Sequence, residues 1–168
     1  MTTTSSWDPG LPAALGEIRT RPLLAIEFEV PPPLDLGATP TANRRVAVIE
    51  GGRFTSDHPG LHGTVLPGGS DWLTIRPDGA TVLDVRVVLQ TDDGEHIAMT
   101  YAGLRHGPKE VMDRLARGEE VDPSEFYFRA TPSFQTSSER HDWLNRIVCV
   151  STGYRKPTGP VYHVFEVL

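Results

Sequence analysis

Cysteine is nearly absent from this chain: Cys149 stands alone in 168 residues, so there is no internal disulfide framework and no cysteine zinc site. Basic runs are absent too. The 16 Lys and Arg are scattered and outnumbered by 22 Asp and Glu, for a formal net charge of −6. A nucleic-acid ligand calls for a basic surface, so none is expected. No apolar stretch approaches the roughly 18 residues that span a bilayer. Residues 1–10 lack the basic and apolar regions of a signal peptide, and a cytoplasmic protein is the simple expectation. There is no HExxH and no close HxH pair. His58 and His62 are four apart, but Pro59 and Gly60 between them forbid a shared helical face, and no metal is expected. The glycine-rich stretches at 51–54 and 66–70 lack phosphate-loop spacing, and no GxSxG elbow supports a serine nucleophile. No cofactor is expected.

What the chain does have is punctuation: 16 Gly and 15 Pro at short intervals, with 38% hydrophobic residues. That suits short strands and turns better than long helices. Residues 1–20 read as a flexible arm and 21–168 as one domain. Alternation marks strands at 23–30, 44–50, 62–66, 71–75, 81–90, 96–103, 126–131, 142–151 and 161–168. Gly51-Gly52, Pro67-Gly68-Gly69, Arg76-Pro77-Asp78-Gly79 and Thr91-Asp92-Asp93-Gly94 read as turns. One short helix is predicted near 108–117: Pro108 suits its first turn, Val111, Met112 and Leu115 share a face, and Gly118 stops it. About eight or nine strands without intervening helices make an all-β, antiparallel fold, either a sandwich or a closed barrel.

The strand faces carry the functional hints. In strand 81–90, Leu83, Val85, Val87 and Leu89 oppose Asp84, Arg86 and Gln90, and residues two apart sit about 6–7 Å from one another. Asp84 and Arg86 either form a surface ion pair of little consequence or face a polar lumen. Strand 126–131 sets Tyr127 beside Arg129, and strand 142–151 sets Trp143 beside Asn145. Such aromatic and polar mixtures line small-molecule pockets, which favours the lumen.

The segments HGTVLPGGSDW (62–72), RPDG (76–79), TDDG (91–94), 103–136 and DWLNRIVCVSTGYR (142–155) resemble domain-of-unknown-function family 3237, also called uncharacterised protein family 0311. The resemblance runs from about Leu23 to the C-terminus. It implies an antiparallel β-barrel of lipocalin-like outline with a central cavity, in small soluble bacterial proteins that tend to associate. The family's recurring polar and aromatic positions fall here on Arg45, Asp71, Trp72, Asp78, Arg86, Arg129, Trp143 and Asn145. The chain departs from the family pattern at Val87, where Tyr is usual, and at Gln135, where Glu is usual. The second change removes a carboxylate that would be a candidate general base.

Cys149, inside the apolar strand RIVCV, reads as a small buried hydrophobe and not as a nucleophile. What remains is acid–base chemistry in an enclosed pocket. Asp84 or Asp71 would be the base, Arg86 and Arg129 would stabilise an enolate or carboxylate, and Tyr101 and Tyr127 would donate protons. Arg45, Trp72, Tyr101, Arg129, Trp143 and Asn145 would contact the ligand. The expected activity is cofactor-independent cyclisation, isomerisation or (de)hydration of a carbonyl-bearing or aromatic metabolite, in a homodimer. The alternatives are a non-catalytic carrier and a structural module with a filled barrel. An open cavity holding an unpaired carboxylate would favour catalysis, an open cavity with every charge paired a carrier, and a filled interior the structural module.

Overall fold

The computed structural model describes residue 10 and residues 12–168. Half of the expected arm, residues 1–9 and 11, lies outside these residues. Ala13–Leu15 make one 3-10 turn before the first strand.

Eleven strand segments follow: β1 (Thr20–Glu29), β2 (Leu34–Ala38), β3 (Asn43–Ile49), β4 (Gly51–Thr55), β5 (Gly63–Val65), β6 (Gly69–Ile75), β7 (Thr81–Thr91), β8 (His96–His106), β9 (Tyr127–Gln135), β10 (Cys149–Lys156) and β11 (Gly159–Val167). Three consecutive pairs are long strands bent at one point. Pro31, Pro32 and Pro33 separate β1 from β2, Glu50 separates β3 from β4, and Leu66-Pro67-Gly68 separates β5 from β6. Counted so, eight antiparallel strands run up and down in sequence order. β11 pairs with β1, and the ring closes. Closure leaves no free edge, and an eight-stranded ring is just wide enough for side chains or one small ligand.

Alternation in the sequence becomes inside and outside in the barrel. Along β7, Thr81, Leu83, Val85, Val87, Leu89 and Thr91 are buried, and the residues between them are not. β9 repeats the pattern through Phe128, Ala130, Pro132 and Phe134. The expected turn at Gly51-Gly52 is instead continuous strand. Gly52 has φ +146°, and a Cβ there would stand 2.1 Å from the Glu27 carbonyl oxygen. Only glycine lets β4 lie this close to β1. The residues of 142–151 also differ from expectation: Asp142–Arg146 form a 3-10 turn, and β10 begins only at Cys149.

The helix α1 (Lys109–Ala116) falls where the sequence predicts it. Gly118, at φ +78°, follows it. It lies in the β8–β9 connection, at the same end as the β2–β3, β6–β7 and β10–β11 turns. The opposite end is packed. Leu61 and Leu144, from the connections 56–62 and 136–148, are almost wholly buried there together with Leu89, Ile97 and Cys149. The barrel is therefore filled from one end and hollow towards the other, beneath α1. Among the described residues no helix is long and apolar enough to cross a membrane.

Candidate functional site

The hollow half is a cavity of about 230 Å³. Its floor is aromatic. Tyr162 packs edge-on against Phe28, Tyr101 and Phe128, with ring centroids 5.9, 5.2 and 5.2 Å away. These rings come from β1, β8, β9 and β11, each at an inward position of its strand. Met112, Leu115 and Ala116 of α1 face the cavity from the barrel's end.

Polar groups stand on this apolar floor. Arg45 on β3, Asp71 on β6, Arg105 on β8 and Arg155 on β10 all line the cavity. Arg45 is partly engaged, its Nε 3.9 Å from Asp35 Oδ2. Arg105 holds its guanidinium carbon 5.5 Å above the Phe128 ring, and its Nε is buried without a hydrogen-bond partner. Arg155 makes no ion pair among the described residues. Burial lowers the pKa of both arginines, and for Arg105 the charge of Arg155 lowers it further.

Asp71 is the cavity's one carboxyl group among the described residues. Burial pushes its pKa up to about 7, against the hydrogen bond it accepts from the Asp84 N–H and the attraction of Arg105 and Arg155. None of the three arginines forms an ion pair with it. The Tyr101 and Tyr162 phenols are held protonated by burial. The Tyr162 oxygen is fully shielded, and the Tyr101 hydroxyl acts on it as a donor. Asp71 can take or give a proton near neutrality, the arginines can balance negative charge on oxygen, and the phenols can donate.

Of the residues singled out from sequence, Asp71, Arg45 and Tyr101 meet in this cavity. The others lie outside it. Asp84 and Arg86 are exposed on the outer face of β7 and form no ion pair with each other, so the lumen placement expected for them is corrected. Their side chains alternate with the inward leucines and valines, and β7 turns that apolar set to the core. Trp72 is on the outer face of β6, its Nε1 donating to Ser70 Oγ at 3.1 Å. Asp78 braces the β6–β7 turn, accepting from Arg76 at 2.6 Å and from the Ala80 N–H at 3.1 Å. Trp143 packs against His58 beyond the filled end, 4.8 Å between ring centroids. Asn145 pins the 3-10 turn to Thr136, accepting from its N–H and donating to its carbonyl, both at 2.9 Å. Gln135 is exposed on the outer face, so a carboxylate at that position would not reach the cavity.

Tyr127 and Arg129 also point outward. They share a wider groove of about 760 Å³ over the outer surface of β8, β9 and β10. Arg129 lies over the Tyr127 ring at 5.1 Å and donates to the Phe128 carbonyl. This groove has apolar walls and no carboxylate among the described residues, so the acid–base groups are those inside the barrel. Cys149 is buried in the packed half, and its thiol is pushed up to about 11 by burial, as suits a small hydrophobe. Among the described residues no three His, Cys, Asp or Glu side chains are grouped to hold a metal ion.

Sequence reasoning missed Arg105, Arg155 and Tyr162. Each carried a signal. Ile97, Met99, Tyr101, Gly103 and Arg105 share one parity, so Arg105 extends an otherwise apolar face. Tyr162 and Val164 share a face in the same way, and Arg155 follows the inward Ser151 and Gly153 of β10.

The sequence model of the family described as "protein of unknown function (DUF3237)" matches residues 18–167. A UPF0311 protein of Rhodopseudomonas palustris is 33% identical over 151 residues, covering 90% of this chain and 97% of the relative. A solved structure from Rhodopseudomonas palustris superposes with a TM-score of 0.86 at 33% identity, over 90% of this chain and 99% of that one. A structure from Acinetobacter baumannii described as a beta-barrel like protein gives 0.77 at 33% identity, over 97% of this chain and all of that one. A structure described as an enzyme from Penicillium herquei gives 0.66 at 20% identity, over 90% and 95%, a likeness of fold alone.

Proposed function

We propose that this chain, which belongs to the DUF3237 family, is a cofactor-independent acid–base catalyst acting on a small carbonyl compound enclosed in its barrel. The reaction class is isomerisation, (de)hydration or cyclisation through an enolate. The observation that carries the reading is Asp71: a carboxyl group in an open cavity, without an ion-pair partner, with a pKa near 7. A base poised at the working pH removes a proton most effectively without being permanently protonated. Arg105 and Arg155 supply fixed positive charge for the oxygen that becomes negative, and the aromatic floor limits water. Tyr101 and Tyr162 supply donors. That one barrel of this shape is called an enzyme is compatible with the reading and carries none of its detail.

The cavity lies just under the roughly 300–1,000 Å³ usual for drug-sized ligands, so a small substrate is expected. The test is hydrogen–deuterium exchange. Purified protein in D2O is mixed with a panel of small ketones and keto acids, and loss of the proton signals next to the carbonyl is followed by NMR. Exchange with at least one panel member is expected, with Asp71→Asn slower by about 100-fold or more. Exchange that Asp71→Asn leaves unchanged would sink the assignment of the base. Ligand retention with no exchange at all would favour a carrier.

A further inference from the structure

We propose that the compound held in this cavity carries a carboxylate before any chemistry begins, and that Arg105 and Arg155 grip this group while the Tyr162 hydroxyl donates to it. The inference rests on reading the cavity as a ligand site and is independent of whether Asp71 acts as a base.

Three guanidinium groups and one carboxyl line the cavity, in a chain whose formal net charge is −6. Arginines withdrawn from water are rare unless paired, because their desolvation must be offset by an anion. Arg45 has Asp35 near the cavity's edge. Among the described residues, neither Arg105 nor Arg155 forms an ion pair with a carboxylate. Asp71 does not serve them, since it forms no ion pair with either and is itself partly protonated near neutrality. The two arginines are also close enough for the charge of one to disfavour the charge of the other. A site with this excess of positive charge is complementary to an anion. Negative charge that arose only during the reaction would leave the resting pair unbalanced.

The donors agree with this. Tyr162 is 2% exposed; the Tyr101 hydroxyl acts on its oxygen as a donor, which leaves the Tyr162 O–H itself to donate, and Arg105 Nε is buried with no hydrogen-bond partner among the described residues. Native structures seldom leave such donors unsatisfied. Arg105, Arg155 and Tyr162 all line the same cavity. Arg105 has its guanidinium carbon 5.5 Å from the Phe128 ring centroid, which gives it a fixed aromatic neighbour. A guanidinium is a planar fork that matches a planar carboxylate in bidentate geometry. The remainder of the ligand would meet Phe28, Tyr101 and the apolar face of α1.

The test is calorimetric titration of the full chain with benzoate, with its neutral counterpart benzamide, and with inorganic phosphate. Benzoate is expected to bind about tenfold or more tightly than benzamide. Arg105→Gln and Arg155→Gln should each weaken benzoate by about tenfold or more and leave benzamide nearly unchanged. Tyr162→Phe keeps the packing and should weaken benzoate several-fold, which preserves the test if the arginine variants fail to fold. Arg86→Gln, on the outer surface, should change nothing. Equal affinity for benzoate and benzamide, no detectable benzoate binding, or indifference to all three cavity variants would overturn the inference. Phosphate binding more tightly than benzoate would overturn it as well and assign the pair to a phosphate. Proton exchange without a carboxylate preference would defeat this inference alone. Carboxylate binding without exchange would defeat only the catalytic reading.

Discussion

Asp71 Oδ1 accepts the Asp84 backbone N–H at 3.1 Å, at the place where β6 and β7 interrupt their pairing. The ladder joins Ser70 to Arg86 and Asp71 to Val85, then resumes only at Thr74 and Val82. A side chain thus stands in for a missing main-chain acceptor. One carboxyl oxygen is spent on the wall of the barrel, and Oδ2 makes no hydrogen bond among the described residues. The bond fixes the rotamer and favours the ionised form, while burial opposes ionisation more strongly.

This opposition predicts a pH dependence of stability. The ordinary Asp value is 3.8 and the folded value is about 7. Between these, the folded state holds a proton that the unfolded state has released, so stability falls as pH rises. The contribution is fully present below about pH 4 and lost as pH passes through about 7. Water near the half-buried carboxyl screens part of the cost, and a loss on the order of 2 kcal/mol is expected between about pH 5 and pH 8. Asp71→Asn keeps an oxygen for the Asp84 N–H and cannot ionise. Its urea midpoint should fall less over that range, and at pH 8 it should exceed the wild type. Parallel pH profiles for the two proteins would contradict the folded value of Asp71.

Asp84 and Arg86 provide the opposite case. Both are exposed and make no ion pair with each other. Substitutions at such positions stay within about 0.5 kcal/mol. Asp84→Asn and Arg86→Ala should therefore leave the denaturation midpoint almost unchanged, and Arg86→Ala should also leave benzoate affinity and proton exchange as they are. A loss of binding in Arg86→Ala would mean that β7 turns its other face to the ligand.

The same strand shows how far the sequence could be read. Alternation separated Leu83, Val85, Val87 and Leu89 from Asp84 and Arg86 correctly, because one face of a closed barrel must be apolar. It could not say which side was hollow. In a filled barrel the polar face is always outside, and in a wide one it can be inside. Here the polar cavity groups sit on the apolar parity of their strands, as Arg105 does behind Tyr101. A charge at such a position is a sharper signal of a lined cavity than a polar face is. The long bent strands were harder. Gly51-Gly52 has the composition of a turn, and only the close approach of Glu27 makes it strand. The 3-10 turn at Asp142–Arg146 is fixed from outside the segment, by the bonds of Asn145 to Thr136.

The floor of the cavity gives the last prediction. Gly153 lies inward on β10, paired with Tyr162, and a Cβ there would stand 2.6 Å from the Phe128 ring. Phe128 is 1% exposed, so the ring has no solvent side to escape to. Gly153→Ala must displace it towards the hollow half, and with it the surface on which the Arg105 guanidinium rests. Overpacking of this kind costs about 1–3 kcal/mol. A lower thermal midpoint is expected, together with benzoate binding weakened by about tenfold, because the ring enters the ligand's volume and tilts Arg105. Phe128→Leu added to Gly153→Ala should recover part of the lost stability, since the two changes share one contact and are not additive. It should not recover the affinity, because the guanidinium has lost its platform. Recovery of both by the double variant would show that Phe128 only fills space and does not orient Arg105.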